Sequence, residues 1–135
     1  MEKMEIEAKT SNLPALNDFV HNMLEENGVP PKYVIQTELI LEEIFVNIAS
    51  YAYAPNVGMA EIECSVDPEK KEYSLVFKDT GKPFNPLDRE DPDITLSAEE
   101  RGIGGLGIFL TKKYMDKVEY KYENMNILTV SKKWE

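Results

Sequence analysis

In the stretch ILEEIFVN, Glu43 and Asn47 stand four residues apart. On an α-helix this spacing leaves two side chains about 40° apart around the axis and one turn from each other. A carboxylate so placed has the chemistry of a general base, and an amide oxygen is a hard ligand suited to Mg2+. The same pair also fits the wet side of an amphipathic helix. In KDTGKPFNP (78–86), Asp79 can accept a hydrogen bond from an exocyclic amino group, and Gly81 lets a planar base approach the backbone. D-x-G is also an ordinary turn at a strand end. In RGIGGLGIFLTKKYMD (101–116), Gly102, Gly104, Gly105 and Gly107 are four of the chain's seven glycines and fall within six positions. Glycine amides followed by the positive end of a helix make an anion site, and phosphate suits it; a hinge with close helix packing would use the same glycines.

Familiar phosphate motifs do not account for the cluster. Gly102, Gly104 and Gly107 satisfy G-x-G-x-x-G, but LSAEE precedes them, where a dinucleotide fold needs a strand inside a βαβ unit. A protein-kinase glycine loop lies between strands, with a long catalytic region behind it, whereas only residues 108–135 follow Gly107. The Walker pattern G-x-x-x-x-G-K-[ST] does not occur.

The elements that must position these residues follow from patterning. MEIEAKT (4–10) alternates like a half-buried strand. SNLPALNDFVHNMLEENG has Ser11 or Asn12 as N-cap, an apolar stripe of Leu13, Leu16, Phe19, Val20, Met23 and Leu24, and Asn27-Gly28 as a stop, which predicts a helix. After Pro30-Pro31, KYVIQTELILEEIFVNIASYAYA reads as a longer helix, apolar around much of its circumference, ending at Pro55. Val34, Leu41, Phe45, Ile48 and Ala52 are its expected core face. AEIECSV (60–66) and EYSLVFK (72–78) form a predicted hairpin across DPEKK. A polar stretch from Asp79 to Arg101, with Pro83, Pro86 and Pro92, has the length of a functional lid, set at about 82–104. A helix at about 106–116 and a closing hairpin, KVEYKY and NILTVSKKW, complete the chain. Grouped helices and hairpin-joined strands predict one α+β domain spanning 1–135: a two-layer sandwich with helices on one face of a mixed, largely antiparallel sheet.

Composition narrows the partners. The net charge is −10, and acidic residues concentrate in DREDPDITLSAEE (88–100). Such a surface repels a duplex or an anionic membrane, so neither nucleic acid nor lipid is expected as the main partner. No run approaches the roughly 20 apolar residues of a membrane span, and MEKMEIEAKT lacks a signal peptide's apolar centre, so a cytoplasmic location is expected. The single Cys64 and single His21 form no metal cluster and are expected in packing or surface roles.

In this order and at these separations the three stretches resemble the GHKL ATPases, named for gyrase, heat-shock chaperone, histidine kinase and MutL, whose nucleotide-binding architecture is the Bergerat fold. EEIFVN is similar to the N box, DTGKPF to the first glycine box and RGIGGLGIFLTKKYMD to the second, with the lid between. Within that superfamily the chain resembles the small anti-sigma-factor serine/threonine kinases of bacteria, by its size, by LILEEIFVNIASYAY and by PFNP. The resemblance runs over about residues 12–133. It implies ATP as the nucleotide, with Mg2+ held by Asn47, Asp79 on the adenine amino group with Gly81 beside it, and Gly102, Gly104, Gly105, Leu106 and Gly107 around the phosphates. Glu43 stands where the family has its general base, Arg101 is the candidate cation, and Thr129 is similar to a late strand threonine near the base. Pro83 departs from branches that have a second glycine there, and the acidic lid is more negative than a phosphate site calls for.

The same resemblance implies a sigma factor and an anti-anti-sigma protein of STAS type as partners, the latter phosphorylated on serine, and a homodimer. Two other classes remain open: a nucleotide-binding switch or interaction module without phosphotransfer, and an ATP-hydrolysing piece of a histidine kinase. The second is disfavoured, because no phosphoacceptor helix precedes the domain in this sequence.

Overall fold

The computed structural model describes residues 1–85 and 106–135. Strand β1 (Glu2–Glu7) leads through a short 3-10 turn into helix α1 (Leu13–Glu26), followed by helix α2 (Pro31–Asn47). Then come the hairpin β2 (Met59–Asp67) and β3 (Glu72–Asp79), helix α3 (Leu106–Tyr114), and a second hairpin of β4 (Lys117–Tyr122) and β5 (Asn126–Lys133). The five strands form one sheet in the order β1-β2-β3-β5-β4. Every pairing among them is antiparallel. The expected α+β sandwich is therefore present, and among the described strands the sheet is antiparallel throughout rather than mixed.

Sheet register explains which residues form the core. Period-two alternation sends Ile62 and Cys64 of β2, Leu75 and Phe77 of β3, and Leu128 and Val130 of β5 to one face, where all are buried. The helices lie over that face and contribute Leu16, Val20 and Leu24 from α1 and Val34, Leu41 and Phe45 from α2. The other face carries Glu61, Glu63 and Lys78, with Lys78 Nζ 3.6 Å from Glu61 and 3.2 Å from Glu63. Cys64 is a buried free thiol, and burial pushes its pKa up to about 12. A packing role for it stands.

Helix ends show where local chemistry sets the boundaries. Helix α1 stops at Glu26, and Gly28 takes φ +84°, a left-handed value that glycine accepts at low cost, while Val29 N–H donates to the Leu24 carbonyl at 3.0 Å. Its N-cap is Asn12, whose side chain donates to the Glu7 carbonyl at 2.9 Å instead of capping the helix. His21 joins α1 to α2, with Nε2 2.8 Å from Glu25 and Nδ1 2.7 Å from Glu38. Helix α2 ends earlier than Pro55: after Asn47 the chain widens into a π-helical turn over Ile48–Ala52. That turn displaces the side chains after Asn47 from the α-helical series, a distortion often found at functional sites.

Candidate functional site

The elements converge on a cavity of about 400 Å³ at the strand ends where β3 stops and β5 starts. Its walls come from the end of α2 and the π turn (Ile44, Asn47, Ile48, Tyr51, Ala52), the end of β3 (Phe77, Asp79) and the chain just after it (Lys82, Pro83, Phe84). Among the described residues, Ile108, Tyr120, Asn126 and Leu128 complete the lining. An apolar slot with a few convergent polar groups is the usual form of a small-molecule site, and this volume lies at the lower end of that class.

Asp79 and Asn126 are partners across the β3/β5 ladder and point to the inward face together. Both are 7% exposed. Buried polar groups need partners, and here they have them. Asp79 Oδ1 accepts from Gly81 N–H at 2.9 Å and from Asn126 Nδ2 at 2.9 Å. Asn126 Nδ2 also donates to the Lys82 carbonyl at 2.9 Å, while its Oδ1 accepts from Phe84 N–H at 3.1 Å and from the Tyr120 hydroxyl. Both protein donors to Asp79 use one carboxylate oxygen, so Oδ2 receives none among the described residues. An acceptor with lone pairs to spare thus lines a mainly apolar cavity, which suits a ligand N–H.

The backbone around Asp79 is held equally closely. A Cβ on Gly81 would collide with the Ala52 carbonyl and its own Cβ, and Lys82 N–H donates to that carbonyl at 2.9 Å. Glycine at 81 therefore serves the approach of two protein segments, the π turn and the chain after β3. Tyr53 ties the same corner together, its hydroxyl accepting from Thr80 N–H at 2.8 Å and donating to the Met59 carbonyl.

The residues singled out in the sequence are placed unequally. Asn47 and Asp79 line the cavity, with Gly81 against its wall. The Asn47 side chain makes no hydrogen bond among the described residues, which leaves its oxygen open to a ligand. Glu43 lies one turn back on α2, half-buried, and is not part of the lining. Thr129 pairs with Val76 on the opposite face of the sheet from Asn126 and Leu128, so strand alternation turns it away from the cavity. Arg101, Gly102, Gly104 and Gly105 lie outside the described residues, as does most of the expected lid. Leu106 and Gly107 open α3, and Ile108, next along, reaches the cavity wall, so the start of that helix lies close to the cavity. No group of three or more His, Cys, Asp or Glu gathers to hold a metal among the described residues.

Asn126 and Lys82 were not recognised from sequence. A signal for Asn126 existed: asparagine is a poor strand former, yet it opens NILTVSKK two positions ahead of Leu128 and hence in phase with the inward face. For Lys82, exposed at the cavity edge, sequence patterning carries no comparable sign.

A serine/threonine-protein kinase, BtrW, from Bordetella bronchiseptica is 28% identical over 94 residues, a match covering 69% of this chain and 66% of that relative's length. The match spans slightly less than two thirds of the relative. Residues 6–132 match the histidine kinase-like ATPase domain family. With a five-stranded antiparallel sheet under three helices among its described residues, a cavity at the strand ends and a match over nearly its whole length, the chain belongs to the histidine kinase-like ATPase domain family.

Proposed function

We propose that this domain binds ATP with Mg2+ and works as an anti-sigma-type regulatory kinase, phosphorylating a serine on an anti-anti-sigma protein of STAS type and binding a sigma factor in another state. The observation that carries the reading is the Asp79 carboxylate, which lines a mainly apolar cavity and takes both of its protein donors on Oδ1, leaving Oδ2 without one among the described residues. Adenine offers an amino donor to such an acceptor, whereas guanine presents a carbonyl at the same ring position and would meet it lone pair to lone pair. The apolar residues Ile48, Phe77 and Leu128 would take the faces of the ring.

The donor set is compatible with a hard cation, because the Asn47 amide oxygen is unengaged and lines the cavity. Asn47 would hold Mg2+ beside the phosphates, where the ion's chemistry is to neutralise charge on the transferring group. The residues around the start of α3 would supply amide donors for the phosphates, and Arg101 a further positive charge. Glu43 would orient or deprotonate the attacking serine hydroxyl. A homodimer belongs to the same reading.

One observation favours a second reading, a nucleotide-dependent switch without phosphotransfer: Glu43 does not line the cavity. Calorimetric titration with ATP, with and without Mg2+, tests the shared part. Micromolar binding that drops on Asp79→Asn and loses its Mg2+ dependence on Asn47→Ala is expected; absence of binding at millimolar ATP would end both readings. A phosphorylation assay with a STAS-type acceptor then separates them. The kinase predicts transfer to serine that falls by about 100-fold or more in Glu43→Ala, and the switch predicts no transfer in either protein.

A further inference from the structure

We infer that Asn126 is a positioning residue that sets base selectivity by orienting Asp79, an inference that rests on the adenine-site reading above. The argument begins with its hydrogen-bond capacity. A primary amide has two donors on nitrogen and two acceptor lone pairs on oxygen, and Asn126 uses all four. Nδ2 donates to Asp79 Oδ1 and to the Lys82 carbonyl, each at 2.9 Å. Oδ1 accepts from Phe84 N–H at 3.1 Å and from the Tyr120 hydroxyl. The Phe84 N–H can only donate and the Lys82 carbonyl can only accept, so these two backbone groups settle which end of the amide is which.

The consequence falls on the carboxylate. With Asn126 and Gly81 both donating to Oδ1, rotation of the Asp79 side chain would break two hydrogen bonds in a buried setting. Oδ2 is thereby kept as the acceptor that a ligand meets. Asn126 also ties Lys82 and Phe84, two residues of the cavity edge, to the same carboxylate. No other side chain of this size both donates to a carboxylate and a carbonyl and accepts from an N–H. Aspartate has the shape without the donors, and threonine has one donor on a shorter arm.

The test pairs the protein change with a chemical change in the nucleotide. Affinities of the full chain and of Asn126→Ala are measured for ATP and for purine riboside triphosphate, which lacks only the exocyclic amino group. A hydrogen bond to a charged acceptor makes the original protein prefer ATP by roughly 10- to 100-fold. If Asn126 acts through Asp79, Asn126→Ala weakens ATP and leaves the analogue nearly unchanged, so the preference falls within about 3-fold of unity. Equal weakening of both nucleotides, or no change in either, would show a general packing role and overturn the inference. A strong preference in the original protein that survives in the variant also overturns it while leaving the adenine site intact. Should the original protein bind both nucleotides alike, the adenine reading itself fails and the inference with it. Asn126→Leu keeps the approximate size while removing the donors to Asp79 and adds no second carboxyl beside it, and it serves if the alanine variant does not melt cooperatively; the same collapse of preference is expected.

Discussion

Lys78 and Asp79 are adjacent in sequence and lie on opposite faces of β3. Lys78 faces solvent on the uncovered side, between Glu61 and Glu63, with 28% of its side chain exposed. Glu63, bonded to the ammonium, holds its pKa above the usual range, with burial opposing more weakly. Asp79 faces the helices and is almost wholly enclosed, its partners Asn126 and Gly81 on one oxygen. Both are charged residues with short contacts, yet they differ in consequence. Water competes for every contact that Lys78 makes, so the ion triad is worth little to folding. At Asp79 water is largely excluded, and a lost partner leaves a buried polar group unpaired. The lesson is that distance alone does not rank contacts: the face of the sheet does.

Leu75→Ala, on the enclosed face of β3 and fully buried, removes packing at the sheet centre and should lower unfolding free energy by about 2–5 kcal/mol in urea titration. Gly81→Ala forces a Cβ onto the Ala52 backbone; a loss of about 1–3 kcal/mol is expected, together with weaker ATP binding, since the chain beside Asp79 must shift. If Gly81→Ala changed neither, the close approach to the π turn would carry no weight. Lys78→Met, on the open face, should alter stability by less than about 1 kcal/mol. A larger loss would mean that the two faces are not so unlike.

The smallest effect is expected at His21, half-exposed on the surface between Glu25 and Glu38. The Glu38 hydrogen bond, and then the Glu25 bond, raise its pKa above 6.5. A folded-state pKa above the unfolded one gives stabilisation that is complete below about pH 6.5 and disappears as pH rises through the raised value. The melting-temperature difference between the protein and His21→Gln should therefore be widest near about pH 6 and shrink toward about pH 9. A difference that grew with pH would refute the α1–α2 ion contact.

The fold was largely legible because its signals are local. The stripe of Leu16, Val20 and Leu24 and the alternation in AEIECSV and EYSLVFK each report one period over one segment. Both hairpins needed only short turns, and Asn27-Gly28 marked a helix end where Gly28 takes its positive φ. Boundaries were less legible at the end of α2, where IASYAYA keeps a helical composition while the backbone widens into the π turn. Composition does not encode a change of hydrogen-bond register. The site divided in the same way. Asn47 and Asp79 stood out by type and spacing, and both reach the cavity. Thr129 did not, because a one-residue step along a strand reverses the face.

By itself, the sequence determined the α+β class, the hairpins, the buried stripes and the two side chains, Asn47 and Asp79, that face the cavity. These depend on residue order within short windows, where periodicity and backbone preference act directly. Only the tertiary structure decided that Gly81 packs on Ala52, 29 residues earlier in the chain, and that Asn126 holds Asp79 and the Lys82–Phe84 segment together. Such contacts join residues distant in sequence, and their strength comes from the exclusion of water at the meeting point of β3, β5 and the π turn. That exclusion exists only once sheet and helices have packed.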